Sequence, residues 1–324
     1  MKISIIITHY QEPPEVISPL FDSIALQQGI DFEDLEILLI QDGKTDVLEA
    51  SWFNRYKYPV RIIECVKQGV SACRNRGIKE ATGDYLMLCD CDDMFCNVFG
   101  LHLLFSGIQD NPDIVGSKFV EENRIVAPYK LIGHDNDMTF IHGKLFRRQY
   151  LLDQNILFHE DQTKHEDSPF VFLAYQCTKN AKYINTPFYC WRWNPNSVMR
   201  SYGRNNALIS TYTDLMLTKD RLISDMKAHG CETKRFVAKC ILDTYYDFNR
   251  PEFTEQKNED KINDALNAAK DFYIKYRDEY YSNEPSELAE CMAVARNMAY
   301  NGGMHVERMT LPQFLGILMK LSNH

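Results

Sequence analysis

Five short stretches of this sequence carry residue types that can do chemistry. Asp90-Cys91-Asp92-Asp93 places three carboxylates within four positions. Like charges so crowded need a cation, and a few hard oxygen ligands suit Mg²⁺ or Mn²⁺, which complete their shells with water and substrate phosphates. A solvated acidic turn, or a helix cap leading into Met94, competes with that account on equal terms. Asp42-Gly43 follows an apolar run. Its carboxylate can accept from an imide or amide N–H of a base, although an Asp-Gly turn is the stronger account of the pair taken alone. Arg74, Asn75 and Arg76 lie within Gly69 to Gly77, where cationic and amide side chains near a helix start suit a diphosphate, or suit holding an acidic corner in place. Ordinary surface pairing is the alternative for the arginines. In His165-Glu166-Asp167-Ser168-Pro169, Asp167 is a candidate general base for transfer to a hydroxyl. Spacing alone favours a helix cap there, with Pro169 near the first helical position. Arg192, Ser197 and Arg200 lie in a polar stretch with Trp191 and Trp193 beside them, rings that either stack on a sugar or pack inward.

The elements that must position these residues are readable from periodicity. Ile3 to Thr8, Leu35 to Ile40, Val60 to Val66 and Tyr85 to Cys89 are apolar or β-branched runs and predict strands; Val16, Ile17, Leu20, Phe21 and Ile24 recur at helical spacing, and Val70 to Ala81 predicts a second helix. Strands alternating with helices predict an α/β layer with a mostly parallel sheet. Each strand ends in polar residues, so the carboxyl ends converge on one site, as in open α/β sheets. Phe140 to Leu152 and Asp167 to Cys177 read as helical and Tyr183 to Trp193 as extended. Beyond residue 203 the periodicity is helical, as in Phe236, Val237, Cys240, Ile241, Thr244, Tyr245 and Phe248. Two domains follow: 1–203 and a helical module over 204–324, assigned to acceptor binding or oligomerisation.

Composition narrows the classes. A chain of 324 residues, 45% apolar and 12% aromatic, can bury a substantial core. A formal net charge of −9 disfavours non-specific duplex binding, which needs a basic surface. The run after Met1 is too short for a signal peptide, and no apolar run reaches the roughly 20 residues of a membrane helix; the expectation is a cytoplasmic protein with reduced thiols. Cys89, Cys91 and Cys96 have no second Cys/His pair at zinc spacing.

In this order the segments resemble the family 2 inverting glycosyltransferases of the GT-A fold over roughly the first 200 residues. Ser4 to Tyr10 is similar to the family's opening strand, and Ile40-Gln41-Asp42-Gly43-Lys44-Thr45-Asp46 is similar to its Asp-Asp-Gly-Ser-Thr-Asp motif, with Gln41 and Lys44 as departures. Gly69 to Gly77 with Ala81-Thr82-Gly83-Asp84-Tyr85 resembles its longest recognisable run and leads to Asp90-Cys91-Asp92-Asp93 in the metal-motif position. Gly143 to Arg148 looks like the segment before the acceptor region. His165-Glu166-Asp167 matches the Glu-Asp motif. The resemblance implies a Rossmann-like sheet flanked by helices, Asp167 as base, and Asp92 with Asp93 as metal ligands. Thr8, Tyr10, Asp42, Arg74, Asn75, Asp90, Arg192, Ser197 and Arg200 are implied on the donor. It also implies a nucleoside-diphosphate sugar donor, UDP-linked by the reading of Asp42 although thymine has the same imide N–H and guanine also offers one, and Mn²⁺ or Mg²⁺ as cofactor. The expected acceptor is a glycan, a lipid-linked or a polyol-phosphate hydroxyl.

Three other classes compete with it. A nucleotidyltransferase needs a glycine-rich basic loop after the first strand, where this chain has Thr8-His9-Tyr10-Gln11-Glu12-Pro13-Pro14. A carbohydrate-binding protein without turnover has no use for Asp92 and Asp167. Transfer to a modified nucleobase of DNA is disfavoured by the acidic balance.

Overall fold

The computed structural model describes residues 1–123, 130–195, 207–255, 257–301, 304 and 306–320. The chain divides into two compact units, Met1–Asn194 and Pro195–His324; the sequence reading set the change nine residues later, at 203/204.

The first unit is built on one sheet. β1 (Ile3–His9), β2 (Leu35–Asp42), β3 (Val60–Cys65) and β4 (Tyr85–Asp90) are all parallel, with β1 between β2 and β4. Ile3, Ile5, Ile6 and Ile7 are wholly buried, the near-continuous apolar run of a strand covered on both faces. Beyond β4 the sheet continues through β8 (Lys144–Arg147), β6 (Ile114–Asn123), β9 (Ala181–Trp191) and β5 (Met94–Phe95), with β7 (Lys130–His134) pairing β6. β6 and β9 are parallel to each other, whereas β8 is antiparallel to both β4 and β6. The two-residue β5 closes the edge against β9.

Five helices of this unit matter for the site. α1 (Pro14–Ala25) starts on Pro14 at its first position and buries Ile17, Leu20, Phe21 and Ile24, one apolar stripe against the sheet. α2 (Val70–Glu80) follows Gly69, whose φ of +94° suits glycine. A Cβ on Gly77 would come within 2.3 Å of Ile6 Cγ2, so the absence of a side chain there lets α2 lie against β1. The buried face of α2 carries Arg74 and Asn75 beside Cys73 and Ile78, an unusually polar inner face. α3 (Gly100–Gly107) buries Leu101 and Leu104, and α4 (Arg148–Asp153) follows β8 directly. α5 (Asp167–Gln176) buries Phe170, Val171, Leu173 and Ala174.

One sequence expectation fails here. Phe140 to Leu152 is not a helix: Lys144–Arg147 is a strand and only Arg148–Asp153 is helical. Phe140, Ile141, Leu145, Phe146 and Leu151 satisfy a helical stripe on paper. Pairing of Leu145 and Phe146 with Met87 and Leu86 decides otherwise, and short apolar runs do not separate helix from strand by periodicity.

In the second unit the described helices include Tyr212–Ala228, Lys234–Asp247, Glu259–Tyr281, Pro285–Asn301 and Leu311–Lys320. Their core gathers Tyr212, Met216, Ile223, Val237, Ile241, Tyr245, Phe272, Tyr276 and Phe314. Asn258 caps the longest of them, its side chain accepting from Lys261 N at 3.2 Å. No described helix is long and apolar enough to cross a membrane. None of the ten cysteines is joined in a disulfide.

Candidate active site

The parallel strands deliver their carboxyl ends to one edge. Thr8 is in register with Ile40 on one side and Asp90 on the other, so the β1 and β4 ends are neighbours. Tyr10 stands exposed just beyond β1, with the Lys67 ammonium 4.0 Å from its ring centroid. Asp42, at the end of β2, accepts from Gln68 N at 2.8 Å and Gly69 N at 3.1 Å. Its carboxylate thus fastens the start of α2. The turn reading of Asp42-Gly43 also describes what is seen, with Gly43 at φ +91° and its N–H donating to Cys65 O at 3.0 Å.

Arg74 is the centre of the arrangement. It is 3% exposed, and its Nη1 donates to Glu166 Oε1 at 2.9 Å and Asp167 Oδ1 at 2.7 Å, while Nη2 donates to Asp90 Oδ1 at 2.9 Å. Of the two tasks the sequence left open, diphosphate binding or restraint of the acidic corner, the side chain is placed for the second. Surface pairing fails for Arg74, which is buried, and holds for Arg76, whose exposed guanidinium meets Glu80 Oε1 at 2.7 Å. Asn75, also expected on the donor, bonds to the segment ahead of α5: its amide donates to Phe158 O and Glu160 Oε1 and its oxygen accepts from Phe158 N. Both ends are spent on the segment ahead of α5, which leaves it a pin between α2 and that segment.

Asp167 sits at the first position of α5. The cap position is Glu166, in helical conformation and with no side-chain cap bond, so the cap account of Asp167 is overturned. Burial lifts its carboxyl to about 7, Arg74 pulls it down, and Glu166 and Asp90 push it up. A carboxylate poised near neutrality suits proton abstraction.

The acidic corner is uneven. Burial opposes the charge on Asp90, yet Arg74 holds it below the ordinary range. Asp92 is raised by burial and by Asp90, and its Oδ2 accepts from Asn194 Nδ2 at 2.7 Å. Asp93 is wholly buried, accepting from Tyr189 Oη at 2.6 Å and Arg192 N at 2.8 Å; burial, Asp92 and Asp90 push it well above the usual range despite those bonds. The ligand atoms of Asp90, Asp93 and His142 lie within 4.8 Å of one another. His142 was not anticipated. It is buried, its Nδ1 has no partner among the described residues, and burial lowers its imidazole to about 4, leaving the neutral ring that coordinates metals. The three residues fit a divalent cation, whereas Asp92, expected to be the chief ligand, stands outside that group.

Arg192 is folded inward: its Nη1 donates to Asp92 O at 3.0 Å. Trp191 packs at 5.4 Å from Phe140 and 5.5 Å from His142. Ser197 and Arg200 lie outside the described residues.

Residues 4–165, half of the chain, match the family model described as glycosyl transferase family 2. The chain belongs to this family. Among relatives of this glycosyltransferase is EpsJ of Bacillus subtilis (strain 168), named an uncharacterized glycosyltransferase. It is 30% identical over 218 residues, 60% of this chain and 62% of that relative. The cholesterol galactosyltransferase of Borreliella burgdorferi is 24% identical over 99% of this chain and 92% of its own length. S. aureus TarS 1-349, crystallised in complex with UDP-GlcNAc, superposes with a TM-score of 0.68 at 18% identity, covering 94% of this chain and 93% of that one. The family 2 chain therefore has the GT-A fold, as its sequence implied.

Proposed function

We propose that this glycosyltransferase moves a sugar from a UDP-sugar to an acceptor hydroxyl in a single inverting displacement that needs a divalent cation. The observation that carries the reading is Asp167: a carboxylate held at 2.7 Å by Arg74 at the head of α5, with a proton affinity near neutrality, beside an acidic corner at the end of β4. The acceptor oxygen attacks the anomeric carbon, its proton passes to Asp167, and the bond from that carbon to the diphosphate breaks with its electron pair going to the leaving group. Arg74 orients the carboxylate through this step. Asp90, Asp93 and His142, with Asp92 adjoining, would hold Mn²⁺ or Mg²⁺, which supplies charge neutralisation to the departing diphosphate.

Thr8, Tyr10 and Asp42 form the donor side, Asp42 offering its remaining lone pairs to the imide N–H of uracil. Arg192, Ser197 and Arg200 are assigned to the diphosphate. The acceptor is a glycan, a lipid-linked or a polyol-phosphate hydroxyl; a relative matched over nearly its whole length and named for transfer to cholesterol supports a hydroxyl-bearing lipid in that set. Residues 204–324 are assigned to acceptor binding or to self-association. The test is a screen of UDP-, GDP-, CDP- and dTDP-sugars with Mn²⁺, reading slow hydrolysis with water as acceptor. Hydrolysis confined to UDP-sugars is expected, and none with any donor sinks the reading.

A further inference from the structure

The inner face of α2 is given over to one segment of chain. Ser71, Arg74 and Asn75 recur at the spacing of a single helix face, and each bonds within residues 158–167. Ser71 Oγ donates to Gln162 O at 2.9 Å, the Arg74 guanidinium meets Glu166 and Asp167, and Asn75 takes Phe158. The Asn75 contact is the most specific of the three. Its Nδ2 donates to Phe158 O at 2.9 Å and its Oδ1 accepts from Phe158 N at 2.9 Å, so one planar amide meets both polar main-chain groups of one residue. Asn carries the donor and the acceptor side by side that this clamp needs. Asn75 and Phe158 are both buried, where a main-chain group left unpaired is costly, and the clamp therefore fixes where Phe158 sits.

The place of Phe158 matters because of what its ring touches. It stacks on Phe170, with centroids 4.1 Å apart and planes 10° apart, and the Arg74 guanidinium carbon lies 5.2 Å from its centroid. Phe170 is on α5, three positions after Asp167, and so on the same side of that helix. It also meets Phe146 of β8 edge-on at 5.3 Å. Arg74 is the cation that holds Asp167 at 2.7 Å. The Phe158 ring is thus lodged against both supports of the Asp167 carboxylate, the helix that carries it and the guanidinium that pairs with it.

We propose that Asn75 is a positioning residue for the base, acting through Phe158: the amide holds the Phe158 main chain, and the ring sets the relation between the Arg74 guanidinium and the first turn of α5. This rests on Asp167 being the base. A base serves only when aimed at the hydroxyl it deprotonates, and a misplacement of about 1 Å can cost about 10²-fold in rate. Asn75 therefore governs rate without touching the donor. That separates it from a residue that binds the nucleotide, whose loss raises the donor KM and the UDP Kd, whereas loss of aim lowers kcat.

The experiment uses the full chain and water as acceptor, with the UDP-sugar most readily hydrolysed in the donor screen, and refers every rate to folded protein. Asn75→Asp keeps the shape and the acceptor for Phe158 N, but it has no donor for Phe158 O and sets a second carboxylate against Glu160. Phe158→Leu keeps a buried apolar side chain without the ring, and serves where Asn75→Asp does not fold. Each is also combined with Asp167→Asn. Expected is a fall in kcat of about tenfold for either substitution, with the donor KM and the UDP Kd within about twofold, because misdirection of a reacting group costs rate rather than ground-state binding. Neither should cost further rate in the Asp167→Asn background. A weakened UDP Kd with kcat kept places Asn75 on the donor and overturns the proposal. Unchanged kcat in a folded Phe158→Leu, or the same fold-loss in the Asp167→Asn background, overturns it as well. Near-normal turnover by Asp167→Asn alone overturns the base assignment itself, a result separable from any effect at Asn75.

Discussion

The Arg74 guanidinium donates to Asp167 at 2.7 Å from a position almost sealed from water, and the same group reaches Asp90 and Glu166. One cation from α2 therefore sets the separation between the head of α5 and the end of β4.

Arg74→Met should be the most damaging single change in the first unit. Breaking a buried ion pair leaves its partners uncompensated and typically costs about 3–5 kcal/mol; here three carboxylates are left. Arg74→Lys should recover only part of this, since a point charge cannot reach three acceptors in the geometry of a fork. Chemical denaturation of the three proteins checks the ranking, and equal stability of Met and Lys variants would contradict it.

Asp167→Asn should fold, bind UDP as the parent does, and transfer sugar about 10²–10⁴-fold more slowly, the usual cost of losing a general base. Rate, melting temperature and UDP affinity measured side by side decide the matter. Rapid transfer would move the search for the base to Glu166 or His165.

The pH dependence follows from the proton affinity of Asp167, raised to about 7 by its burial. Below that value the carboxyl is protonated and cannot accept a proton, so kcat should drop about tenfold per pH unit on the acid side. A rate that stays flat from pH 7 to pH 5 would exclude this carboxylate as the base.

Excess EDTA should abolish turnover and Mn²⁺ should restore it. His142→Phe should raise the Mn²⁺ concentration for half-maximal rate at least about tenfold, as loss of a metal-site group commonly does. If Asp92→Ala shifts that requirement and His142→Phe does not, the cation sits on the Asp92 side of the corner.

In the helical unit, burial raises Asp247 to about 6, against the pull of Lys219 and Arg250. A free aspartate titrates near 3.9, so between roughly pH 4 and 6 the folded state holds a proton that the unfolded chain has released. Stability from this group is present at low pH and lost as pH rises through the folded value. Asp247→Asn should therefore lose less melting temperature between pH 4.5 and pH 7.5 than the parent. Parallel melting curves across that range test it.

The donor half of the fold was legible because its physics is local. β1 to β4 are apolar or β-branched runs, and the polar residues after each had to share one edge of a parallel sheet. The Phe140 to Leu152 stretch was not legible, since partner strands β4 and β6 decide its conformation, and His142 was hidden with it. Nor could spacing choose between the two tasks of Arg74, which depend on the arrival of residues 166 and 167 from far along the chain. Asn75 shows the same limit: its hydrogen bonds to Phe158 and Glu160, more than eighty residues away, are not readable from its motif.

The antiparallel direction of β8 has an evolutionary consequence. Because β8 enters the sheet from the catalytic edge, the residues just before it, Asp137 to Gly143, arrive beside the end of β4 without belonging to any of the four parallel strands. Changes of composition there that spare His142 leave the register of β1 to β4 untouched, so the loop can vary by descent independently of the four parallel strands.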